Sequence, residues 1–177
     1  MKSLRIHLRS AVLIIGAALL LSACASYDGW GLQPGVTKLP EVLQTMGEPA
    51  MRWDAPDGSS QLAYPRGPVG TSTFMVHIDP QGKLQRIENV LDMRGFSRVQ
   101  AGMDKAQVLR ALGPAIPEKT VYFEARDELV WEWRYCNDWN RYARFYVLFD
   151  GKRERVRSTQ MQEELCEGPF CWCGKSR

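Results

Sequence analysis

Histidine is scarce in this sequence, with two in 177 residues, and only His77 lies beyond the first ten. It sits between Val76 and Ile78. In an extended strand it would point away from both, and no nucleophile pattern flanks it. It therefore reads as a surface or internally satisfied strand residue. The sequence also lacks G-x-S-x-G, H-E-x-x-H, a glycine-rich phosphate loop and a paired-carboxylate signature. These absences argue against an enzyme, a cofactor, a metal centre and a small-molecule substrate. The longest apolar run, Ala11 to Leu21, is eleven residues. A membrane-spanning helix needs roughly 20. A lasting charge excess is missing too. Lys and Arg number 23 against 20 Asp and Glu, but Lys2, Arg5 and Arg9 supply the difference. A nucleic-acid binder would keep a basic face. What is present is 45% hydrophobic and 10% aromatic, a globular composition. The length suits one medium domain or two small ones.

Met1 to Arg9 is basic and Ala11 to Leu21 is apolar, the pattern of an export signal. Leu21-Ser22-Ala23-Cys24 then resembles the bacterial lipobox, Leu-small-small-Cys. The resemblance implies acylation of the Cys24 sulfur, cleavage before it, and acylation of the new amine. Several acyl chains give a stable anchor at about 0.8 kcal/mol per buried methylene. Lipoproteins of this kind kept in the inner membrane often carry Asp after the cysteine. Ala25 and Ser26 stand there instead. The expected location is the outer membrane, lipid-anchored and facing the periplasm.

Beyond a short tether the chain repeats itself. Gly35-Val36-Thr37-Lys38-Leu39-Pro40-Glu41-Val42-Leu43-Gln44-Thr45-Met46-Gly47 is matched by Gly102-Met103-Asp104-Lys105-Ala106-Gln107-Val108-Leu109-Arg110-Ala111-Leu112-Gly113, with one residue inserted in the first copy. Leu39, Val42, Leu43 and Met46 form one helical stripe. Thr37 and Asp104 are expected N-caps, with Gln107 completing a capping box. Gly47 and Gly113 are expected at left-handed C′ positions, each followed closely by proline. Pro40 falls in the first turn, where no helical N–H is lost. The period then switches to two. Leu129, Trp131, Trp133 and Tyr135 alternate with Val130, Glu132 and Arg134, and the first set is expected to face the core. Tyr142 to Phe149 is a further strand leading to Asp150-Gly151, a hairpin signal. In the first copy, Ser72 to Ile78 leads through Asp79-Pro80-Gln81-Gly82 to Lys83–Leu91. The expected fold class is α+β, two tandem helix-plus-antiparallel-sheet repeats with three or four strands each. The expected divisions are signal 1–23, tether 24–34, first repeat 35–94, second repeat 98–160 and a cysteine-rich tail 161–177.

The segment Gly102 to Gly113 resembles the opening motif of the BamE-like (SmpA/OmlA) lipoproteins. In that family a lipobox precedes a helical segment and a three-stranded antiparallel sheet. An aromatic precedes the central hairpin, and a hydrophobe-Asp-x-Gly turn follows. Trp133 and Asp150-Gly151 match in the second copy, and Tyr64 and Asp79 to Gly82 in the first. The resemblance covers roughly Gly35 to Gln160. Two copies in tandem also resemble the β-lactamase inhibitor protein fold. The family resemblance implies a non-enzymatic binding or assembly module of the outer-membrane envelope, accessory to β-barrel assembly or envelope integrity, with protein partners there. The alternative is a periplasmic inhibitor that blocks a hydrolase with loops of the tandem sheets.

Four cysteines remain after Cys24: Cys136, Cys166, Cys171 and Cys173. In an oxidising periplasm an even number points to disulfides. Cys171 and Cys173 are separated only by Trp172, so each is expected to reach Cys136 or Cys166. Zinc ligation is the competing reading, and its usual C-x2–4-C pairs fit this spacing poorly. Trp139, in the polar stretch Asn137 to Asn140, is a candidate partner anchor or a cover over its own sheet. Arg153, Arg155 and Arg157 alternate beside Lys152 and would meet anionic headgroups or an acidic partner, or guard an edge strand. Two disulfides would leave the protein about 4 Da lighter before reduction than after, one hydrogen lost per cysteine. Intact mass with and without reductant checks this, and an unchanged mass would leave the cysteines as thiols.

Overall fold

The computed structural model describes residues 28–67, 70–165 and 172–173. Cys24, Cys166, Cys171 and the whole expected signal lie outside them. Among the described residues no helix is long and apolar enough to cross a membrane.

The structure is α+β. In the first half, α1 (Leu39–Met46) is followed by β1 (Met51–Asp54), β2 (Ser60–Pro65), β3 (Thr73–Ile78) and β4 (Leu84–Asn89). A four-residue helix, α2 (Met93–Phe96), leads to α3 (Lys105–Leu112). The second half continues with β5 (Val121–Phe123), β6 (Glu128–Cys136), β7 (Tyr142–Asp150) and β8 (Arg155–Glu163). Each half forms a four-stranded antiparallel sheet in sequential order.

Alternation along the strands sets the layering. One face of the first sheet carries Leu62, Tyr64, Val76, Ile78 and Leu84, which close over Val42 and Met46 of α1. Its other face carries the cross-strand row Met51, Ala63 and Met75. That row packs in the larger core with Val108 and Leu112 of α3 and with Trp133, Phe145, Val147 and Phe149 of the second sheet. Thus Val108 and Leu112 of α3 are buried between the two sheets, while Ala106, Gln107 and Arg110 face outward. The far end of α3 is pinned by Gln61 Nε2, which donates to the Arg110 carbonyl at 2.7 Å.

The two halves share local geometry. The Gly35 and Gly102 N–H groups donate to the Leu84 and Val156 carbonyls at 2.7 and 2.8 Å. The Leu84 and Val156 N–H groups donate in return to Thr37 and Met103, each at 2.8 Å. A single β-bridge joins Lys38 to Lys83, and another joins Asp104 to Arg155. Each sheet has a register shift at the same place, after His77 and after Leu148.

Several details differ from the sequence expectations. Asp104 caps α3 as expected, accepting from Gln107 N–H while the Gln107 side chain accepts from Asp104 N–H. Thr37 does not cap α1. Its hydroxyl accepts from Gln33 N–H at 2.8 Å, so the helix starts one residue later, with Glu41 accepting from Lys38 N–H. Gly47 and Gly113 have φ of 80° and 74°, but their ψ values of −167° and −168° are extended rather than left-handed helical. This region is essentially closed to residues with a Cβ, and it sends the chain straight toward the following proline. The expected tether is docked at its end: Gly29 is buried and Leu32 packs on the α1 core. Of residues 95–97, expected between two units, Gly95 and Phe96 are buried and only Ser97 is exposed. Phe96 stacks on Phe145 with centroids 4.1 Å apart and meets Tyr135 edge-on at 4.7 Å. β8 also runs three residues past position 160. On the aromatic strand Trp133 and Tyr135 are buried, while Trp131 is partly buried and packs at the margin of the core.

Gly47 has open space where a Cβ would stand, whereas at Gly113 that atom would lie 2.8 Å from Thr73 Cγ2 and 3.5 Å from Ala63 Cβ. Both Gly→Ala variants carry backbone strain of about 1–3 kcal/mol. Only Gly113→Ala adds a clash between the halves. Thermal unfolding should show Gly113→Ala losing more stability than Gly47→Ala, and equal losses would argue against close seating of α3.

Candidate functional site

The tip of the β6–β7 hairpin is polar and rigid. Asn137 builds it: its side-chain oxygen accepts from Trp139 N–H at 3.1 Å and Arg141 N–H at 2.9 Å. Its carbonyl accepts from Asn140 N–H at 2.8 Å. Asn140 has a φ of 59°, in the left-handed region that asparagine tolerates better than most residues. Trp139 is 76% exposed, so it does not fold back as a cover over its own sheet.

The chain's C-terminal part returns to this tip. Cys173 forms a disulfide with Cys136, the last residue of β6, with Cα atoms 6.0 Å apart. That pairing is one of those the sequence left open. Cys173 N–H donates to the Asn140 carbonyl at 2.8 Å, and Asn140 Nδ2 donates to the Cys173 carbonyl at 2.7 Å. Trp172 forms a β-bridge with Arg141 and is 56% exposed. The Arg141 guanidinium lies 6.0 Å from the Trp172 ring and pairs with Glu163. Leu165, fully exposed, follows Glu164, whose N–H donates to Tyr142 at the same end of the sheet. Trp139, Trp172 and Leu165 are thus three exposed apolar side chains at this end of the second sheet, with Arg141 beside Trp172. Trp139 was visible in sequence as a tryptophan in a polar turn. Trp172 and Leu165 were not, because only the disulfide and the β8 register bring them there.

The three candidate arginines lie elsewhere. Arg153 occupies the β7–β8 turn, where its N–H donates to Asp150. Arg155 meets Asp104 at 3.3 Å, and Arg157 meets Glu128 at 3.3 Å and Asp150 at 3.5 Å. They do not form a free basic face, because the register shift and the α3 N-cap supply carboxylates to two of them. Their turn is separated from Trp139 by the length of β7, about 27 Å for nine residues. The structure therefore does not bring the four candidates together.

Charge is concentrated on the outer face of the second sheet. Arg134 pairs with Glu164 at 2.8 Å, and Arg144 bridges Glu164 and Glu132, each at 3.1 Å. Arg134 also lies 3.7 Å over the Tyr142 ring. Burial raises the Glu132 carboxyl above its usual range although Arg144 opposes this. Burial also acts to raise Glu164, but its bonds to Arg134 and Arg144 prevail and hold it below the usual range. These pairs satisfy one another and present no open acid–base couple.

His77 is likewise satisfied. Its Nε2 lies 3.0 Å from Glu88 Oε1, so the neutral ring donates there. Arg98 clamps the same carboxylate with bonds of 3.1 and 2.7 Å. An apolar cleft of about 300 Å³ lies between the halves, bordered by Pro65, Thr73, Leu91, Ile116 and Pro117. Trp133 is at its margin, yet the indole Nε1 is buried and has no partner. Among the described residues no group of three or more His, Cys, Asp or Glu is placed to hold a metal ion.

Comparison of the chain with protein families, curated proteins and solved structures gives no match. The reading of the site rests on its own geometry.

The His77–Glu88–Arg98 cluster predicts a pH dependence. The Arg98 hydrogen bonds hold Glu88 down at about 2, against an ordinary 4.5. A depressed carboxylate stabilises the fold above its unfolded pKa and loses that contribution as pH falls from about 5 toward 2, about 3 kcal/mol in all. Burial also lowers His77, outweighing Glu88, so its contribution is lost as pH drops below its ordinary 6.5. Stability measured by denaturant titration should fall in two stages on acidification. Glu88→Gln should flatten the lower one and His77→Gln the upper one, and profiles parallel to wild type would refute the assignment.

Proposed function

We propose that this chain is a lipid-anchored, non-catalytic binding or assembly module of the outer-membrane envelope, built as a tandem duplication of a BamE-like helix-and-sheet unit. The observation that carries the binding role is the β6–β7 tip, where exposed Trp139 and Trp172 are held by the Cys136–Cys173 bond. An exposed aromatic fixed before binding loses little conformational entropy on contact, which is how interface anchors act. The bond itself suits an oxidising compartment such as the periplasm. The lipobox-like Leu21-Ser22-Ala23-Cys24 supports the anchor. The duplication is supported by the paired hydrogen bonds of Gly35 and Gly102, by the two N-cap bridges and by the shared register shifts.

The tip suits a protein partner better than a catalytic role, since its polar groups are taken up in the turn. Two measurements test the proposal. Cys24→Ala should move the protein from the membrane fraction to the soluble fraction of the envelope, and unchanged fractionation would remove the anchor. A photo-crosslinker at Trp139, on the anchored protein in cells, should capture envelope assembly components. One at exposed Glu118 should not. Capture of a single soluble hydrolase, inhibited by the purified protein, would overturn the assembly reading in favour of an inhibitor.

A further inference from the structure

The chain approaches the first sheet through a seated turn. Leu32 N–H donates to the Gly29 carbonyl at 3.0 Å, closing a β-turn around Trp30 and Gly31. The base of the turn is packed: Gly29 is buried, Leu32 joins the core under α1, and a Cβ at Gly29 would collide with Ile87 Cδ1 of β4. The crown is not packed. Trp30 is 85% exposed, more than Trp139. Further on, Gly35 N–H and the Thr37 carbonyl bond Leu84 on the outer edge of β4, and Lys38 is bridged to Lys83. Residues 29–38 therefore lie against β4 at both ends. Val36, 65% exposed, and exposed Lys38 stand on either side of buried Thr37. Among the described residues neither Lys38 nor Lys83 forms an ion pair. Like charges directly opposed on a ladder repel, so these two ammonium groups lack a counter-charge.

We propose that residues 29–38 and the adjoining start of β4 form the surface that rests on the phospholipid leaflet, with Trp30 and Val36 in its headgroup layer and Lys38 and Lys83 against its phosphates. This rests on the lipid anchor proposed at Cys24. Cys24 precedes Asp28, the first described residue, by four positions, which span at most about 14 Å. The acyl chains of an anchored Cys24 lie in the membrane, so this edge of the first sheet is held within that reach of it. The leaflet is the surface that covalent connection keeps beside the edge. Indole suits the boundary between acyl chains and headgroups, because its ring is apolar and its N–H is a donor. Lysine stems lie along such a boundary while their ammonium groups meet phosphate. The docking uses the first sheet and leaves the β6–β7 tip of the second to a protein partner.

A photo-crosslinking amino acid is placed at position 36 of the full anchored chain in cells, and the purified protein is weighed intact after irradiation. One spectrum then reports both the acyl chains on Cys24 and any phospholipid gained. Acylated protein with a phospholipid adduct is expected for the probe at 36 and for the probe at 30, but not for a probe at exposed Glu118. Trp30→Glu, a change at the crown of an exposed turn, should lower the adduct yield at 36 several-fold and leave the melting temperature unchanged. Acylated protein with no adduct at 36, adducts at Trp139 in its place, a protein cross-link at 36 in place of lipid, or a yield indifferent to Trp30→Glu would each overturn the inference and leave the anchor standing. A chain with no acyl mass would remove the anchor and the inference with it.

Discussion

The packing of Val108 and Leu112 of α3 between the two sheets is the contact on which the rest of the molecule depends. A helix of eight residues has little stability in water, where isolated helices shorter than about 12 residues are marginal. Val108 and Leu112 are wholly buried and belong to the core that spans both halves. The helix approaches the first sheet closely because Ala63 and Gly113 meet there without bulk. Each half alone is about 60 residues, a size at which a single core is barely sufficient. Sharing α3 joins one face of the first sheet to the second half in a single core, beside the separate core under α1.

The same logic explains why the layers stop where they do. Counted from the register shifts, the pair Ala63–Met75 that seats α3 corresponds to Glu132–Tyr146 in the second sheet. A small apolar pair accepts a helix, whereas a buried carboxylate tied to Arg144 does not. Outward polarity is what end units of stacked architectures need, since no further layer will cover them. Removing Arg144 would leave Glu132 desolvated and unpaired, so the polar face tolerates change less readily than its position on the surface suggests.

Much of this fold was legible in the sequence because the signals are local. The Asp104–Gln107 box, the prolines behind Gly47 and Gly113, and the alternation from Leu129 to Tyr135 each reflect the chemistry of a few neighbouring residues. Phe96 was misjudged as part of a junction, because its partners Tyr135 and Phe145 are 39 and 49 positions away. β1, β2 and β5 passed unplaced, since short strands carry too few alternations to stand out. That Arg155 and Arg157 are already paired was not legible for a related reason. Nothing near them in sequence announces that Asp104 and Glu128 will arrive as partners. Of the candidate site, Trp139 was legible and its companions were not.

The sequence by itself determined the α+β class, the helix stops, the aromatic strand and the expectation that cysteines near the C-terminus would pair. Those follow from backbone geometry, side-chain period and redox chemistry, which act over short spans. Only the tertiary structure decided that Cys136 takes Cys173, that Trp139, Trp172 and Leu165 lie at one end of the second sheet, and that Arg155 and Arg157 are already paired. These are matters of register and return path, where a shift of one residue reverses every side chain. No local pattern encodes them.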